Sequence, residues 1–200
     1  MDNGAYVQNM MSLMNARVDA IARSLDYQQI NQFINGLLEA KRIFIMGAGR
    51  SGLVAKSFAM RLMHTGFTSY VVGETITPAI DKGDLFIAVS GSGGTKTIAD
   101  LAETAKSLEA KVGLITSNPD SRIGRIADYI VKIDARRETD EPDSHEYEIR
   151  QILGQYRSFA PLGTLFETSA LIFGDALIST IMQLKDIEER DLKRRHTNIE

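Results

Sequence analysis

The chain has 200 residues, no cysteine and a formal net charge of -3. That length suits one domain with an ordinary core, and the missing thiols exclude disulfides and thiolate chemistry. The mild acidity excludes non-specific nucleic-acid binding, which demands clustered Lys and Arg, and no apolar run reaches the roughly 18–20 residues of a membrane span. The N-terminus lacks a basic n-region, so a secretory signal is not expected and a cytoplasmic location is.

Residues 5–40 read as two helices. Met10, Met14, Val18, Ile21 and Leu25 recur at three- and four-residue spacing, as do Ile30, Phe33, Ile34, Leu37 and Leu38. Packing against the core or a twin subunit accounts for such a stripe. The rhythm then changes. Arg42–Met46 is a short apolar run ending in glycine, a buried strand. Ser51–His64 is a helix with Leu53, Val54, Phe58, Leu62 and Met63 on one side. Strands follow at 69–72 and 85–89, a helix at 95–108, and strands at 112–116 and 129–133. Strands that are apolar throughout and alternate with helices argue for a parallel sheet covered on both faces.

The segment 134–150 breaks this pattern, being dense in charge and poor in apolar residues. A last long helix is predicted over 164–182, followed by a charged tail holding Arg194, Arg195 and His196. Tails of that composition tend to fray. The expected organisation is one α/β domain, a three-layer sandwich around a five-stranded parallel sheet. Residues 1–40 form N-terminal helices, 41–134 the sheet core, 135–158 a charged insertion, and 159–200 the C-terminal helix and tail.

Two glycine loops carry the chemistry. After the third strand stand Ser90, Gly91, Ser92, Gly93, Gly94 and Thr95, directly before a helix. Glycines let backbone approach a ligand, hydroxyls donate hydrogen bonds, and a helix N-terminus adds free N–H groups and partial positive charge. That is a phosphate cradle, although hydroxyls at a helix start also serve as caps. After the first strand, Gly47, Ala48, Gly49, Arg50, Ser51 and Gly52 spell G-x-G-x-x-G, and Glu74 lies just beyond the second strand. A dinucleotide fold uses both features, so an NAD-binding enzyme is a competing reading. The Ser/Gly/Thr loop after the third strand favours a phosphorylated sugar held between two loops.

These loops, together with Phe58–His64, Gly73-Glu74-Thr75 with Thr77-Pro78, and Pro161–Thr164 with Phe166-Glu167, resemble the 6-phospho-3-hexuloisomerase family of the sugar isomerase (SIS) domain superfamily. The resemblance spans most of the chain. It implies interconversion of D-arabino-hex-3-ulose 6-phosphate and fructose 6-phosphate, as in ribulose monophosphate formaldehyde fixation. It also implies no metal or organic cofactor, a small phosphorylated sugar as ligand, and a homotetramer built as a dimer of dimers. Segment 134–150 departs from compact members of the family, which pass more directly from the fifth strand to the Gly-Thr-x-Phe-Glu motif.

Moving a carbonyl from C3 to C2 takes a proton off C2 and returns one to C3 through a 2,3-enediol, work that one carboxylate can do. Glu167, in the first turn of a long helix, reads structurally as an acid stabilised by the macrodipole. The resemblance makes it the base. Of the three histidines, His145 lies in the charged segment and His64 ends an apolar helix, where it would cap or catalyse. The resemblance favours His196, reaching a site that belongs to its own or a neighbouring subunit, for the oxygen proton transfers. Ser90, Ser92 and Thr95, with the amides of Gly91 and Gly93, are expected to hold the phosphate. Ser51 and the backbone at Gly47 and Gly49 would hold the sugar. Arg50 reads either as a ligand contact or as an exposed helix start. Glu74 reads either as a sugar-hydroxyl acceptor or as a strand-end residue bonded to the first loop.

Overall fold

Short apolar runs cannot satisfy their backbone alone, so they pair side by side. The computed structural model describes residues 2–135 and 164–199. In it the elements run α1 (Asn3–Ser24), α2 (Tyr27–Glu39), β1 (Ile43–Gly47), α3 (Arg50–His64), β2 (Ser69–Val71), β3 (Leu85–Val89), α4 (Lys96–Ser107), β4 (Lys111–Thr116), β5 (Tyr129–Lys132), α5 (Thr164–Leu184) and α6 (Glu189–Arg195). The five strands form one sheet in the order β2-β1-β3-β4-β5. All neighbours are parallel, with Ile45 opposite Val71 and Ile87, and Ile115 opposite Val89 and Val131. This is the flavodoxin-like doubly wound order. Its chain departs from β1 in both directions, and the loops after β1 and β3 diverge to leave a crevice at their carboxyl ends.

Alternation along each strand divides the core in two. Ile43, Ile45, Leu85, Ile87 and Val89 pack under α2, α3 and α5, with Phe33, Leu37, Phe58, Leu62, Phe173 and Leu177. Phe44, Phe86, Ala88, Val112 and Leu114 pack on the other face against Ile98, Ala99, Ala102 and Ala105 of α4. The helices on both faces explain why these strands are apolar throughout. At the amino end of the sheet, buried Asp84 accepts from Arg42 Nε and Nη2 at 3.0 and 2.6 Å, and Asp128 accepts from Lys106, Lys111 and the Val112 amide. These bonds pin the strand starts and leave the carboxyl ends to the site.

Helix α5 has the length and composition to cross a membrane. In this fold its apolar character is spent inward: Phe166, Ala170, Phe173, Leu177, Ile178 and Ile181 are buried, and the helix packs along α3. Two local features differ from the sequence pattern. Leu53 and Met63 are exposed, because the stripe buried by α3 is Val54, Ala55, Phe58, Ala59 and Leu62. The tail forms α6, where the Glu188 amide donates to Asp191 Oδ2 at 3.1 Å and the Asp191 amide to the Glu188 carbonyl. The charged segment beyond Ala135, with His145 and the Pro161–Gly163 part of the motif, lies outside the described residues.

Candidate active site

The site begins with backbone that only glycine allows. A Cβ on Gly47 would lie 2.4 Å from the Ser51 carbonyl oxygen, so the end of β1 passes directly beneath the first turn of α3. Gly49 serves as N-cap at φ 55 with no side chain of its own. Ala48 and Ser51 thereby reach a cavity of about 910 Å³. From the next strand come Ser90, Gly91, Ser92 and Thr95, which line the same cavity.

The Ser90 loop is held by its own bonds. The Gly93 amide donates to the carbonyl and hydroxyl oxygens of Ser90 at 3.0 and 3.2 Å, and the Gly94 amide donates to Ser92 Oγ at 3.2 Å. The hydroxyl oxygens of Ser90 and Ser92 therefore act as acceptors within the loop, while each keeps its hydrogen to donate to a ligand. Thr95 is the N-cap of α4 yet makes no side-chain cap bond, so the capping explanation does not account for its hydroxyl. Gly93, at φ 60, sits where a Cβ would fall 2.0 Å from Ser121 Oγ. Gly93 shapes the turn and does not line the cavity.

Helix α5 delivers Glu167 to the cavity wall, with Phe166 packed on the loop at Gly91. The Glu167 side chain is 13% exposed and accepts from Arg50 Nε at 2.5 Å. Arg50 thus holds the carboxylate and does not itself line the cavity. Glu74 lies elsewhere: exposed, it accepts from Lys56 Nζ at 2.5 Å, and it is not among the cavity residues. A dinucleotide site would need that acid free for a ribose.

The histidines lie at the other end of α3. His64 is buried and stacks on His196, ring centroids 5.1 Å apart. Arg195 Nη1 donates to the His64 carbonyl at 3.1 Å. Burial lowers the His64 pKa below its ordinary value, and His196 and Arg61 lower it further by charge. Arg50 and His64 stand at opposite ends of a 15-residue helix, about 21 Å apart at 1.5 Å per residue. One chain therefore does not bring His196 to its own Glu167.

Sequence reasoning missed the far wall of the cavity: Ser117, Asn118, Pro119, Asp120 and Lys132. They stand at the carboxyl ends of β4 and β5, and the rule that placed the two glycine loops could have found them. Thr116 Oγ1 and the Ser117 amide both donate to the Gly91 carbonyl, tying this wall to the hydroxyl loop. Among the described residues no three His, Asp or Glu side chains cluster to hold a metal ion.

A doubly wound sheet with a hydroxyl-lined cradle and a carboxylate at the switch point defines a class, the α/β domains that hold small phosphorylated ligands. Within it, residues 36–146 match the SIS domain, and the chain belongs to that family. It is 41% identical to the 3-hexulose-6-phosphate isomerase of Bacillus subtilis over 90% of its own length and 91% of that protein's. The enzyme of the same name from Mycobacterium gastri is 36% identical, with coverage of 98% and 93%. A solved Methanococcus jannaschii protein, described as inferring a 3-hexulose-6-phosphate isomerase function, superposes with a TM-score of 0.79 at 31% identity, covering 95% of this chain and 98% of that one.

Proposed function

We propose that this chain, a sugar-phosphate isomerase by family, interconverts D-arabino-hex-3-ulose 6-phosphate and fructose 6-phosphate. The observation that carries this reading is one cavity lined by Ser90, Ser92, Thr95 and Glu167. The phosphate rests on the hydroxyls, on the Gly91 backbone and on the α4 N-terminus, whose partial positive charge suits an anion, while the Gly93 and Gly94 amides stay bonded within the loop. Ala48 and Ser51 border the sugar, and Gly47 and Gly49, which do not line the cavity, shape the loop that carries them. Glu167 removes the C2 proton to give the 2,3-enediol and returns a proton to C3. Arg50 fixes its carboxylate by the charge-assisted bond described above.

The enediol oxygens exchange protons with an imidazole, whose ordinary pKa near neutrality suits both directions. We assign this to His196 of a neighbouring copy, given its distance from Glu167 within one chain. The family resemblance extends this proposal to a homotetramer working in the cytoplasm on the ribulose monophosphate route. The test incubates the protein with hexulose 6-phosphate and couples appearance of fructose 6-phosphate to a reporter. Glu167→Gln is expected to lower kcat by about 10²–10⁴ while fructose 6-phosphate still binds. Undiminished turnover in that variant removes Glu167 from the mechanism.

A further inference from the structure

Hydroxyls and amides carry no full charge, yet a sugar phosphate brings nearly two negative charges at neutral pH. Arg50 of the first loop is engaged by Glu167 at 2.5 Å, and Lys96, next to Thr95, does not line the cavity. Among the described residues lining the cavity, the carboxylates are Asp120 and Glu167 and the cation is Lys132. Resting on the sugar-phosphate reading above, we propose that Lys132 is the residue that neutralises the substrate's phosphate and thereby selects phosphorylated over plain sugars.

Its placement fits that role. Lys132 is the last residue of β5, opposite Thr116, and Thr116 Oγ1 donates to the Gly91 carbonyl of the hydroxyl loop at 3.1 Å. Its own amide donates to Gln29 Oε1 of α2 at 2.9 Å, which fixes the backbone from which the side chain extends. Two strand spacings separate β5 from β3, about 10 Å, a gap that a lysine stem and a phosphate group together fill. The ammonium pairs with Asp134 Oδ2 at 3.0 Å. With side chains 32% and 41% exposed, that pair is a weak surface one, readily exchanged for a dianion. A compact ammonium suits a phosphate as a point charge.

The test is calorimetric titration of the parent, Lys132→Met and Lys132→Arg proteins with inorganic phosphate and, separately, with fructose 6-phosphate, at low and high salt. Lys132→Met is expected to weaken both ligands about tenfold and to flatten the salt dependence. It is also expected to raise KM by a similar factor with kcat nearly unchanged. Lys132→Arg is expected to keep most of the affinity. Equal affinity of Lys132→Met and parent for both ligands overturns the assignment, as does a folded Lys132→Arg protein that binds as weakly as Lys132→Met. A parent that binds phosphate but not fructose 6-phosphate overturns the sugar reading alone, and loss of that phosphate binding in Lys132→Met still supports Lys132. A parent that binds neither overturns both.

Discussion

Gly49 and Gly93 share a positive φ, 55 and 60, but not an environment. A Cβ on Gly49 meets nothing within 4 Å, whereas on Gly93 it meets Ser121 Oγ at 2.0 Å. Gly49→Ala, at φ 55 and ψ -130, therefore bears only the conformational cost, about 1–3 kcal/mol. Gly93→Ala bears that cost plus a collision with the Ser121 turn, and is expected to lose more stability in denaturant titration and to displace the hydroxyl loop. Equal losses in the two variants would show that the turn yields freely. At Ser90, one hydroxyl both accepts from Gly93 and faces the cavity. Ser90→Ala is expected to weaken fructose 6-phosphate binding about tenfold, and Ser90→Asp to abolish it by charge repulsion. Tight binding by Ser90→Asp in the same titration would argue against a phosphate cradle there.

Helix α3 reaches the cavity at one end and the C-terminal tail at the other. Its first turn borders the cavity and its last residue, His64, seats the tail. The groups around His64 are Arg61 of the same helix, with Asp175 of α5 at 3.9 Å from Arg61, and Arg195 and His196 of the tail. Folding lowers the His64 pKa below the ordinary imidazole value near 6.5, first by burial and then by the charges of His196 and Arg61. Above pH 6.5 the ring is neutral folded or unfolded and costs nothing. As pH falls below 6.5 the unfolded chain takes up the proton first, so stability declines. The thermal midpoint of the parent is expected to drop between pH 7.5 and 5.5, and His64→Phe, which keeps a stacking ring, to reduce that drop. The same pH dependence in both proteins would place the sensitivity elsewhere.

At the scale of the whole molecule, α1 carries more exposed large apolar side chains than any other described element. Of its 22 residues only Ile21 is buried, while Tyr6, Val7, Met11 and Leu13 are exposed. A second copy covering this face agrees with the proposed tetramer. Val7→Glu with Met11→Glu is expected to give a smaller assembly by light scattering, and an unchanged mass would exclude α1 from the interface. The distance between His196 and Glu167 yields a sharper outcome. Glu167→Gln and His196→Asn proteins, each inactive alone, are expected to regain activity when refolded together, because a mixed assembly contains sites with both intact groups. Mixed assemblies that stay inactive would mean that each chain completes its own site.

The class of fold was legible in the residues, since apolar runs of strand length between helical patterns leave few alternatives to a covered parallel sheet. Ser90, Ser92 and Thr95 were legible because hydroxyls and glycines after a strand and before a helix have few structural uses together. Other features depend on side chains far apart in the chain, and local patterns do not encode such distances. Arg50 meets Glu167 across 117 positions, and His64 meets the tail across 131. The α6 tail reads as fraying because its charges suggest solvent, whereas the Glu188 amide bond to Asp191 and the contacts of Arg195 and His196 with His64 hold it. By itself the sequence determined the sheet and the two glycine loops at its carboxyl end, because those follow from local propensity and periodicity. Only the tertiary structure decided that Glu74 stands apart with Lys56, that Lys132 joins the cavity, and that His196 lies a helix-length from Glu167, because packing alone sets those distances.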